Sequence, residues 1–302
     1  MANSSGLNRT GLLSRVTVAA ITAALVGTTT AAVAAETPQP TVSGIAQSSN
    51  ATAFAATAAA TPTNFLFGVN SAGTVWGYEP VGGGTIQRLA DESGTNWNYH
   101  KHFNQADMDG DGGSDGWYAI RNGRLNYASN GAPRDLGGGW NIYNKIVSAS
   151  NTGGGVADDV LARDGYGVLW HYLGYGNGAL TQRYKVGGGW NAYNQIAGKG
   201  DLNRDGKADI VARDGSGVLW LYKGTGNYKA PFSSRSRIGG GWNLYNKLVS
   251  SGDLNFDGIA DLVARDGAGA LWLYKGTGNA SAPYHGRVKI GTNGWNGFRE
   301  IF

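Results

Sequence analysis

Residues 201–242 read DLNRDGKADIVARDGSGVLWLYKGTGNYKAPFSSRSRIGGGW, and much of this stretch returns from residue 253 as DLNFDGIADLVARDGAGALWLYKGTGN. Looser copies begin at Asp107 and Asn151. Each copy is closed by a tryptophan, and the steps between these tryptophans are 43, 50, 52 and 53 residues: Trp97, Trp140, Trp190, Trp242 and Trp295. A period of this length is typical of repeat architectures, in which each copy buries its apolar face only against its neighbours.

Each copy contains short apolar runs separated by turn residues. ADIVAR (208–213) and GVLWLY (217–222) are joined by Asp214-Gly215, and a glycine-rich stretch leads to WNLYNKLV (242–249). Such runs between Asp-Gly and Gly-rich turns predict β-hairpins, and no helical period appears along the chain. Four short antiparallel strands per repeat form one blade of a β-propeller. The sequence therefore predicts an all-β propeller.

The two ends of the repeat region predict the number of blades. NFLFGVNSAGTVWGY (64–78) aligns with residues 208–222 but lacks the strand that precedes them. The last residues, WNGFREIF (295–302), align with that missing strand. We therefore expect the C-terminal strand to complete the N-terminal blade, which gives a closed five-bladed β-propeller over residues 64–302 with repeats of about 48 residues. An open solenoid is the alternative, and it would leave both ends unpaired.

The first residues are typical of an exported protein. Residues 1–35 contain Arg9 and Arg15, then an apolar run, then the small residues 32–34 (AVA), which together predict a cleaved secretory signal peptide. Residues 36–63 are rich in Ala, Thr, Ser and Pro, which predicts a linker. No later stretch is apolar enough to predict a membrane span. We expect a secreted, extracellular protein.

The cysteine content and the charge of the chain limit the classes of partner that we expect it to bind. The chain has no cysteine, so its rigidity must come from packing or from metal. The net charge is +4, and removal of the two arginines of the signal peptide leaves +2. Because the basic residues form no run, nucleic acid is not an expected partner.

Three acidic loops follow the pattern D-x-[DN]-x-D-G-x-x-D. Oxygen ligands at positions 1, 3 and 5, a glycine at position 6, a carbonyl at position 7 and an aspartate at position 9 suit Ca²⁺ better than Zn²⁺ or Mg²⁺. We expect about three structural calcium ions. The predicted ligand residues are Asp107, Asp109, Asp111, Gly113 and Asp115; Asp201, Asn203, Asp205, Lys207 and Asp209; and Asp253, Asn255, Asp257, Ile259 and Asp261.

The remaining copies have lost most of these ligands. The loop that begins at Asn151 keeps only Asp159, at position 9, and the composite blade places Phe65 at that position. The loops are not EF-hands, because position 12 holds Tyr118, Ala212 or Ala264 where that loop needs a glutamate. Three metal-free Asx turns are the alternative interpretation.

These motifs resemble two known families. The acidic loop followed by a short β run resembles FG-GAP/VCBS repeats, the calcium-loop blades also found in integrin α-chain propellers. The Trp-closed blade, with GWYAIRNGRLNYA (116–128) and WNGFREIF (295–302), is similar to the five-bladed propeller lectins of the tachylectin type. The first resemblance implies calcium in the loops, and the second implies carbohydrate binding.

The aromatic residues recur at two positions. Trp76, Trp170, Trp220 and Trp272 lie in the GVLWLY strand, where packing explains them. The second position is the tryptophan that closes each copy, together with the Tyr-Asn pair that follows it in three of the copies. An aromatic ring beside an amide and an open glycine backbone can stack against a sugar, and copies of such a site around a ring would increase avidity. For this second set, packing between blades is the leading interpretation, because repeated packing also requires repeated residues, and sugar binding is the other. The candidate ligand-binding residues are Trp97, Trp140, Tyr143, Asn144, Trp190, Tyr193, Asn194, Trp242, Tyr245, Asn246 and Trp295.

The sequence contains no catalytic constellation. It has four histidines and no G-x-S-x-G motif. His100 and His102 would lie on the same face if their strand were regular. We therefore expect not an enzyme but a secreted calcium-binding propeller that acts as a carbohydrate-binding, lectin-like module. The alternative is a propeller for protein interaction, adhesion or protease modulation, and a hydrolase is a third. The expected partners are glycans or a protein surface, and the expected state is a monomer.

Overall fold

The computed structural model describes residues 61–89, 97–129 and 133–302. These residues form five four-stranded antiparallel sheets. In four of them the strands follow in sequence order outward from the inner strand, and in the fifth the inner strand is the last strand of the chain. The helical elements of the described ranges are four one-turn 3-10 helices. The predicted all-β, five-bladed propeller is therefore confirmed. The predicted signal peptide 1–35 and most of the predicted linker 36–63 lie outside the described residues.

Blade 1 joins the two ends of the described chain, and the other blades are continuous. Blade 1 consists of β1 (Leu66–Asn70), β2 (Val75–Pro80), β3 (Ile86–Arg88) and β20 (Phe298–Ile301). Blade 2 consists of β4 (His100–Ala106), β5 (Gly116–Arg121), β6 (Arg124–Ala128) and β7 (Arg134–Gly137). Blade 3 consists of β8 (Tyr143–Ser148), β9 (Val160–Asp164), β10 (Leu169–Tyr172) and β11 (Tyr184–Gly187).

The last two blades repeat this layout most regularly. Blade 4 consists of β12 (Tyr193–Ala197), β13 (Ile210–Asp214), β14 (Leu219–Tyr222) and β15 (Ser236–Gly239). Blade 5 consists of β16 (Tyr245–Val249), β17 (Leu262–Asp266), β18 (Leu271–Tyr274) and β19 (Val288–Gly291). The 3-10 helices precede the inner strands of blades 3, 4, 5 and 1, and they span Trp140–Ile142, Trp190–Ala192, Trp242–Leu244 and Trp295–Gly297.

The C-terminal strand closes the ring as the sequence predicts. β20 pairs antiparallel with β1, with Gly68 opposite Ile301 and Val69 opposite Glu300. Phe67 and Phe302 exchange both backbone hydrogen bonds, with N···O distances of 2.8 and 3.0 Å. The pairing covers the inner edge of β1, which would otherwise offer free backbone groups to another chain.

Every pair of neighbouring blades shares one apolar core. Because each blade packs both of its faces against neighbours, the five cores run around the ring and include the contact between blades 5 and 1. Representative buried members, from the interface of blades 1 and 2 onward, are Phe67 with Phe103, Ile120 with Ile146, Leu169 with Ile196, Leu221 with Leu248, and Leu271 with Leu66.

The propeller has two end faces. The first, here called the hairpin face, carries the turns between second and third strands. In the turn between β9 and β10, Gly167 O accepts a hydrogen bond of 2.9 Å from Trp190 N, which precedes the next blade. The same link joins Gly217 to Trp242 and occurs at all five blade contacts. The opposite face carries the acidic loops between inner and second strands, and we call it the loop face. None of the described segments forms a helix with the length and apolarity that a membrane crossing requires.

Candidate functional site

The first aspartate of each acidic loop is wrapped by the loop's own backbone. Asp201 Oδ1 accepts hydrogen bonds from the N–H groups of Asn203 and Arg204 at 3.0 and 2.7 Å, and its Oδ2 accepts one from Gly206 at 2.7 Å. Asp253 and Asp107 accept the corresponding bonds in their own loops. The three loops therefore share one conformation although their sequences differ.

This conformation requires two left-handed residues. Position 6 is glycine in every loop, with φ of 85°, 80° and 84°. Position 4 is also left-handed, at Gly110 (φ 78°), Arg204 (63°) and Phe256 (65°). A side chain at positive φ costs about 1–2 kcal/mol. That Arg204 and Phe256 keep this conformation shows how strongly the surrounding hydrogen bonds define the loop.

The aspartate at position 9 joins the end of each loop to its beginning. Asp209 Oδ2 accepts a hydrogen bond from the N–H of Leu202 at 3.1 Å, and Asp261 does so from Leu254 at 3.0 Å. Asp115 accepts the equivalent bond from position 2 at 2.8 Å. Burial raises the pKa of Asp209 and that of Asp261 to about 7, and the other loop carboxylates add to the effect.

In blade 2 three carboxylates converge. Asp107, Asp109 and Asp115 each offer an oxygen within 4.8 Å of the others. Burial, followed by the neighbouring Asp158, raises the pKa of Asp107 to about 6. Grouped oxygens at this spacing suit a hard divalent cation, which would remove the repulsion between them. The blade 2 loop therefore fits the predicted calcium set.

In blades 4 and 5 position 3 is an asparagine. Asn203 Nδ2 donates to Asp209 at 2.8 Å, and Asn255 Nδ2 donates to Asp257 at 3.0 Å. The amide can turn its oxygen to the same place, because the two ends of a carboxamide are nearly equal in shape. These loops therefore fit the same cation with one fewer charge.

The remaining predicted ligands lie at the loop tips. The position 5 carboxylates accept hydrogen bonds from the position 7 N–H groups, at 2.9 Å in blade 2, 3.1 Å in blade 4 and 3.0 Å in blade 5. Positions 5 and 7 therefore stay together in each loop. The pairs are Asp111 with Gly113, Asp205 with Lys207, and Asp257 with Ile259.

The degenerate loop of blade 3 holds a histidine in place of the missing ligands. His171 is fully buried, and its Nε2 lies 3.1 Å from Asp159 Oδ2. Thr152 and Gly153 donate their N–H groups to the same oxygen at 3.0 and 2.7 Å. Sequence reasoning missed this partner. The signal was present, since HY at 171–172 replaces the LY of the other GVLWLY strands.

A second buried pair lies beside this loop. Lys199 Nζ bonds Asp158 Oδ2, and it donates to Gln105 O at 2.8 Å. Asp158 also accepts a hydrogen bond from Asp107 N at 2.8 Å. The pair therefore connects blades 2, 3 and 4 at the loop face. It too was missed, because Lys199 and Asp158 are 41 residues apart in sequence.

The closing tryptophans are buried between blades. They are only 1–8% exposed, so no indole face is open to a sugar. Trp190 packs on Tyr222 with ring centroids 4.8 Å apart, and Trp242 packs on Tyr274 at 4.6 Å. The burial of Trp97, Trp140, Trp190, Trp242 and Trp295 thus agrees with the packing interpretation and not with stacking on a ligand.

The Tyr-Asn pairs that follow them are also engaged within the fold. Tyr193 is buried and its hydroxyl lies 2.6 Å from that of Tyr222. Asn194 Oδ1 accepts a hydrogen bond from Arg213 Nε at 2.7 Å. The same arrangement holds Tyr143 and Asn144, and Tyr245 and Asn246, in blades 3 and 5.

An arginine at each of these positions links two blades. Arg213 Nη1 donates to Trp242 O at 2.9 Å, and it also bonds Tyr245 O. Arg163 and Arg265 make the equivalent contacts. In the composite blade, Arg299 of β20 takes this role, since its guanidinium donates to the carbonyls of Trp97 and His100 at 2.7 and 2.8 Å.

The strand tryptophans are the half-exposed set. Trp220 Nε1 donates to Asp214 Oδ2 at 2.8 Å, and the Arg235 guanidinium lies 4.0 Å from the ring centroid of Trp220. The trio recurs in blades 3 and 5. His100 and His102 do not share a face, because β4 shifts register between Lys101 and Asn104 and His102 has a φ of 57°.

Comparison with known proteins supports the repeat assignment. Residues 201–264 match a family model described as an FG-GAP-like repeat, and this segment contains the loops of blades 4 and 5. No curated protein matches the chain. That the chain is a binding module and not an enzyme stays a prediction. The similarity to tachylectin-type lectins stays a prediction.

Solved structures match at low identity. The human WBSCR16 structure is 12% identical, with a TM-score of 0.35, 74% of this chain covered and 65% of that one. Yeast RCC1 (Prp20), solved with Kap60, is 12% identical, with a TM-score of 0.35 and coverages of 73% and 57%. The Nup133 β-propeller domain of Vanderwaltozyma polyspora is 9% identical, with a TM-score of 0.37 and coverages of 76% and 74%. The chain spans less than two thirds of the first two structures.

Proposed function

We propose that the protein is an exported binding module whose blades 2, 4 and 5 each hold a structural Ca²⁺ in the acidic loop. The shared loop conformation carries this proposal, since three different sequences place the same carboxylates around the same backbone turn. The ions would be held by positions 1, 3, 5 and 9 and by the position 7 carbonyl. Binding to the folded state alone stabilises that state.

Blade 3 supplies an internal comparison for this proposal. Its loop has lost the ligands at positions 3 and 5, and His171 lies against the remaining Asp159. Where the loop keeps its ligands, the residue equivalent to His171 is Tyr127, Leu221 or Leu273, none of which is basic. A basic group therefore accompanies the loop that lacks a cation site, which is the pattern expected if the other loops bind cations.

Calcium titration of the folded protein tests the metal sites. We expect a stoichiometry of three by isothermal titration calorimetry and by metal analysis after dialysis. Asp201→Asn should reduce it to two, because position 1 anchors the loop. Asn151→Ala in the degenerate loop is the matched control and should leave three. A melting temperature that EDTA does not lower would refute the structural role.

We further propose that the ligands of the module are glycans, bound at the rim of the hairpin face. Tyr166 is 92% exposed at the tip of the β9–β10 hairpin. The adjacent Gly167 lies against the carboxamide of Asn191, and the backbone at Gly188 is open to solvent. An open aromatic ring beside an amide is the arrangement that stacking on a sugar requires. Tyr99, 69% exposed, offers a second such ring.

A glycan array with matched variants tests the ligand class. Tyr166→Ser copies the residue at the same turn of blade 4, Ser216, and should abolish or strongly weaken glycan binding without lowering the melting temperature. Tyr175→Ser is the control, because Tyr175 is also exposed (55%) but follows β10 toward the loop face. Equal loss in both variants, or no binding by a multivalent form of the protein, would refute the glycan proposal and favour a protein surface as partner.

A further inference from the structure

The fifth residue after each closing tryptophan forms a ring around the central channel. The channel is a cavity of about 300 Å³ between the five inner strands, and all five ring residues line it. Their side chains differ although their positions are equivalent. The channel ring consists of His102, Lys145, Gln195, Lys247 and Glu300.

The charges in the channel do not balance. Lys247 Nζ lies 3.5 Å from Glu300 Oε2, so these two offset each other. Lys145 Nζ is half-buried and is hydrogen-bonded to none of the residues that the structure describes. Burial, and next the charge of Lys247, lower the pKa of Lys145 to about 8. One carboxylate therefore faces two ammonium groups.

The other cations that line the channel already have partners. The guanidinium of Arg299 donates to the carbonyls of Trp97 and His100, and Lys199 bonds the buried Asp158. These contacts hold both groups in place, so neither can move far to meet a bound anion. Among the described cationic groups that line the channel, Lys145 is therefore the one without a hydrogen-bond partner.

Residues 61–64 contact the loops of other blades at the loop face. Thr63 N donates to Gly112 O of blade 2 at 2.9 Å, and Asp253 N of blade 5 donates to Pro62 O at 2.7 Å. Gly200 of blade 4 lies against Pro62 as well. This segment therefore contacts loops of three blades at the loop face without lining the cavity.

We propose that the channel ring binds a small oxyanion, a carboxylate or an inorganic sulfate-type group, between Lys145 and Lys247. The cavity volume admits a small molecule and the excess ammonium group supplies the charge. The half-buried position strengthens the attraction over that at an exposed lysine, because screening by water is weaker there. The proposal does not depend on calcium or on glycan binding.

Anion titrations at constant ionic strength test this site. The probes are sodium sulfate and sodium acetate, each replacing sodium chloride, followed by backbone amide NMR shifts of the calcium-loaded protein. We expect saturable shifts confined to the inner strands. Tighter binding of acetate would identify a carboxylate ligand, and tighter binding of sulfate would identify an inorganic or ester oxyanion. Shifts no larger than those in chloride, or shifts spread over the surface, would overturn the proposal.

Matched variants assign the site to the ring. Lys145→Gln copies Gln195 at the equivalent position, so the fold tolerates it, and it should weaken binding at least tenfold. Lys185→Gln, on the exposed outer strand β11, is the control and should bind as the parent does. Glu300→Gln removes the competing carboxylate and should tighten binding several-fold. Unchanged affinity in both Lys145→Gln and Glu300→Gln would overturn the proposal.

Discussion

At the scale of single residues, His100 shows how the repeat tolerates a misfit. Blades 3, 4 and 5 place a tyrosine there and blade 1 places Phe298, whereas His100 packs on Trp97 with ring centroids 4.6 Å apart. Its Nδ1 is buried without a hydrogen bond among the described residues. Burial, followed by the charges of Arg121 and Arg299, lowers the pKa of His100 to about 4.

This lowered pKa predicts an acid-sensitive fold. Between pH 6.5 and 4, His100 is protonated in the unfolded chain but stays neutral in the folded protein. The contribution of His100 to stability is therefore complete above pH 6.5 and is lost as the pH falls toward 4. His100→Phe should make the drop in the free energy of unfolding between these pH values smaller by roughly 1–2 kcal/mol, a figure reduced for the partial exposure of His100. Urea unfolding at pH 7 and pH 4.5 checks it. An equal drop in stability for parent and variant would contradict the assignment.

At the scale of elements, the acidic loops and the degenerate loop solve one problem in two ways. The loops of blades 3, 4 and 5 bury a position 9 carboxylate at the junction of two strands, namely Asp159, Asp209 and Asp261. In blades 4 and 5 the neighbouring strand residue is an apolar leucine, and in blade 3 it is His171. The carboxylate is constant and its partner varies, so the loop of blade 3 is independent of the metal that we propose for the others.

His171→Leu should therefore destabilise the protein although it restores the repeat consensus. It leaves the buried Asp159 without its ring partner but with the N–H donors of Thr152, Gly153 and Gly174, and losing one hydrogen bond to a charged group costs about 1.5–3 kcal/mol. Adding Asp159→Asn should recover part of the loss, because the charge is then gone. Urea denaturation of both variants measures the difference. A His171→Leu variant as stable as the parent would show that the backbone donors alone satisfy Asp159.

The element scale also separates what the sequence predicts from what it hides. Blade number, loop positions and the pairing of tail with head follow from spacing, since each repeat carries its own strands and turns. The burial of Trp190 and the exposure of Tyr166 do not follow, because both depend on which face meets the next blade. The pair of Lys199 with Asp158 joins different repeats, and no pattern within one repeat contains it.

At the scale of the whole molecule, closure rests on five residues. Deleting residues 298–302 removes β20 and uncovers the inner edge of β1 as well as part of two interblade cores. We expect the truncated protein to associate or aggregate, because an uncovered strand edge pairs with other chains. Size-exclusion chromatography against the parent measures this. A monomeric, equally stable truncation would contradict the role of β20.

A circular permutant provides the control for this deletion. Joining residue 302 to residue 61 by a short Gly/Ser linker, with new ends between Gly187 and Gly188, keeps every strand pair while moving the break to open backbone. The permutant should remain monomeric and retain most of its stability. If it associates as the truncation does, the break itself and not the bare edge is responsible.

The composite first blade has a consequence for the order of events during synthesis. Its first three strands are synthesised before blades 2 to 5, whereas its fourth strand, β20, is synthesised after them. The ring therefore cannot close until all the other blades have been synthesised, and the inner edge of β1 stays uncovered until then.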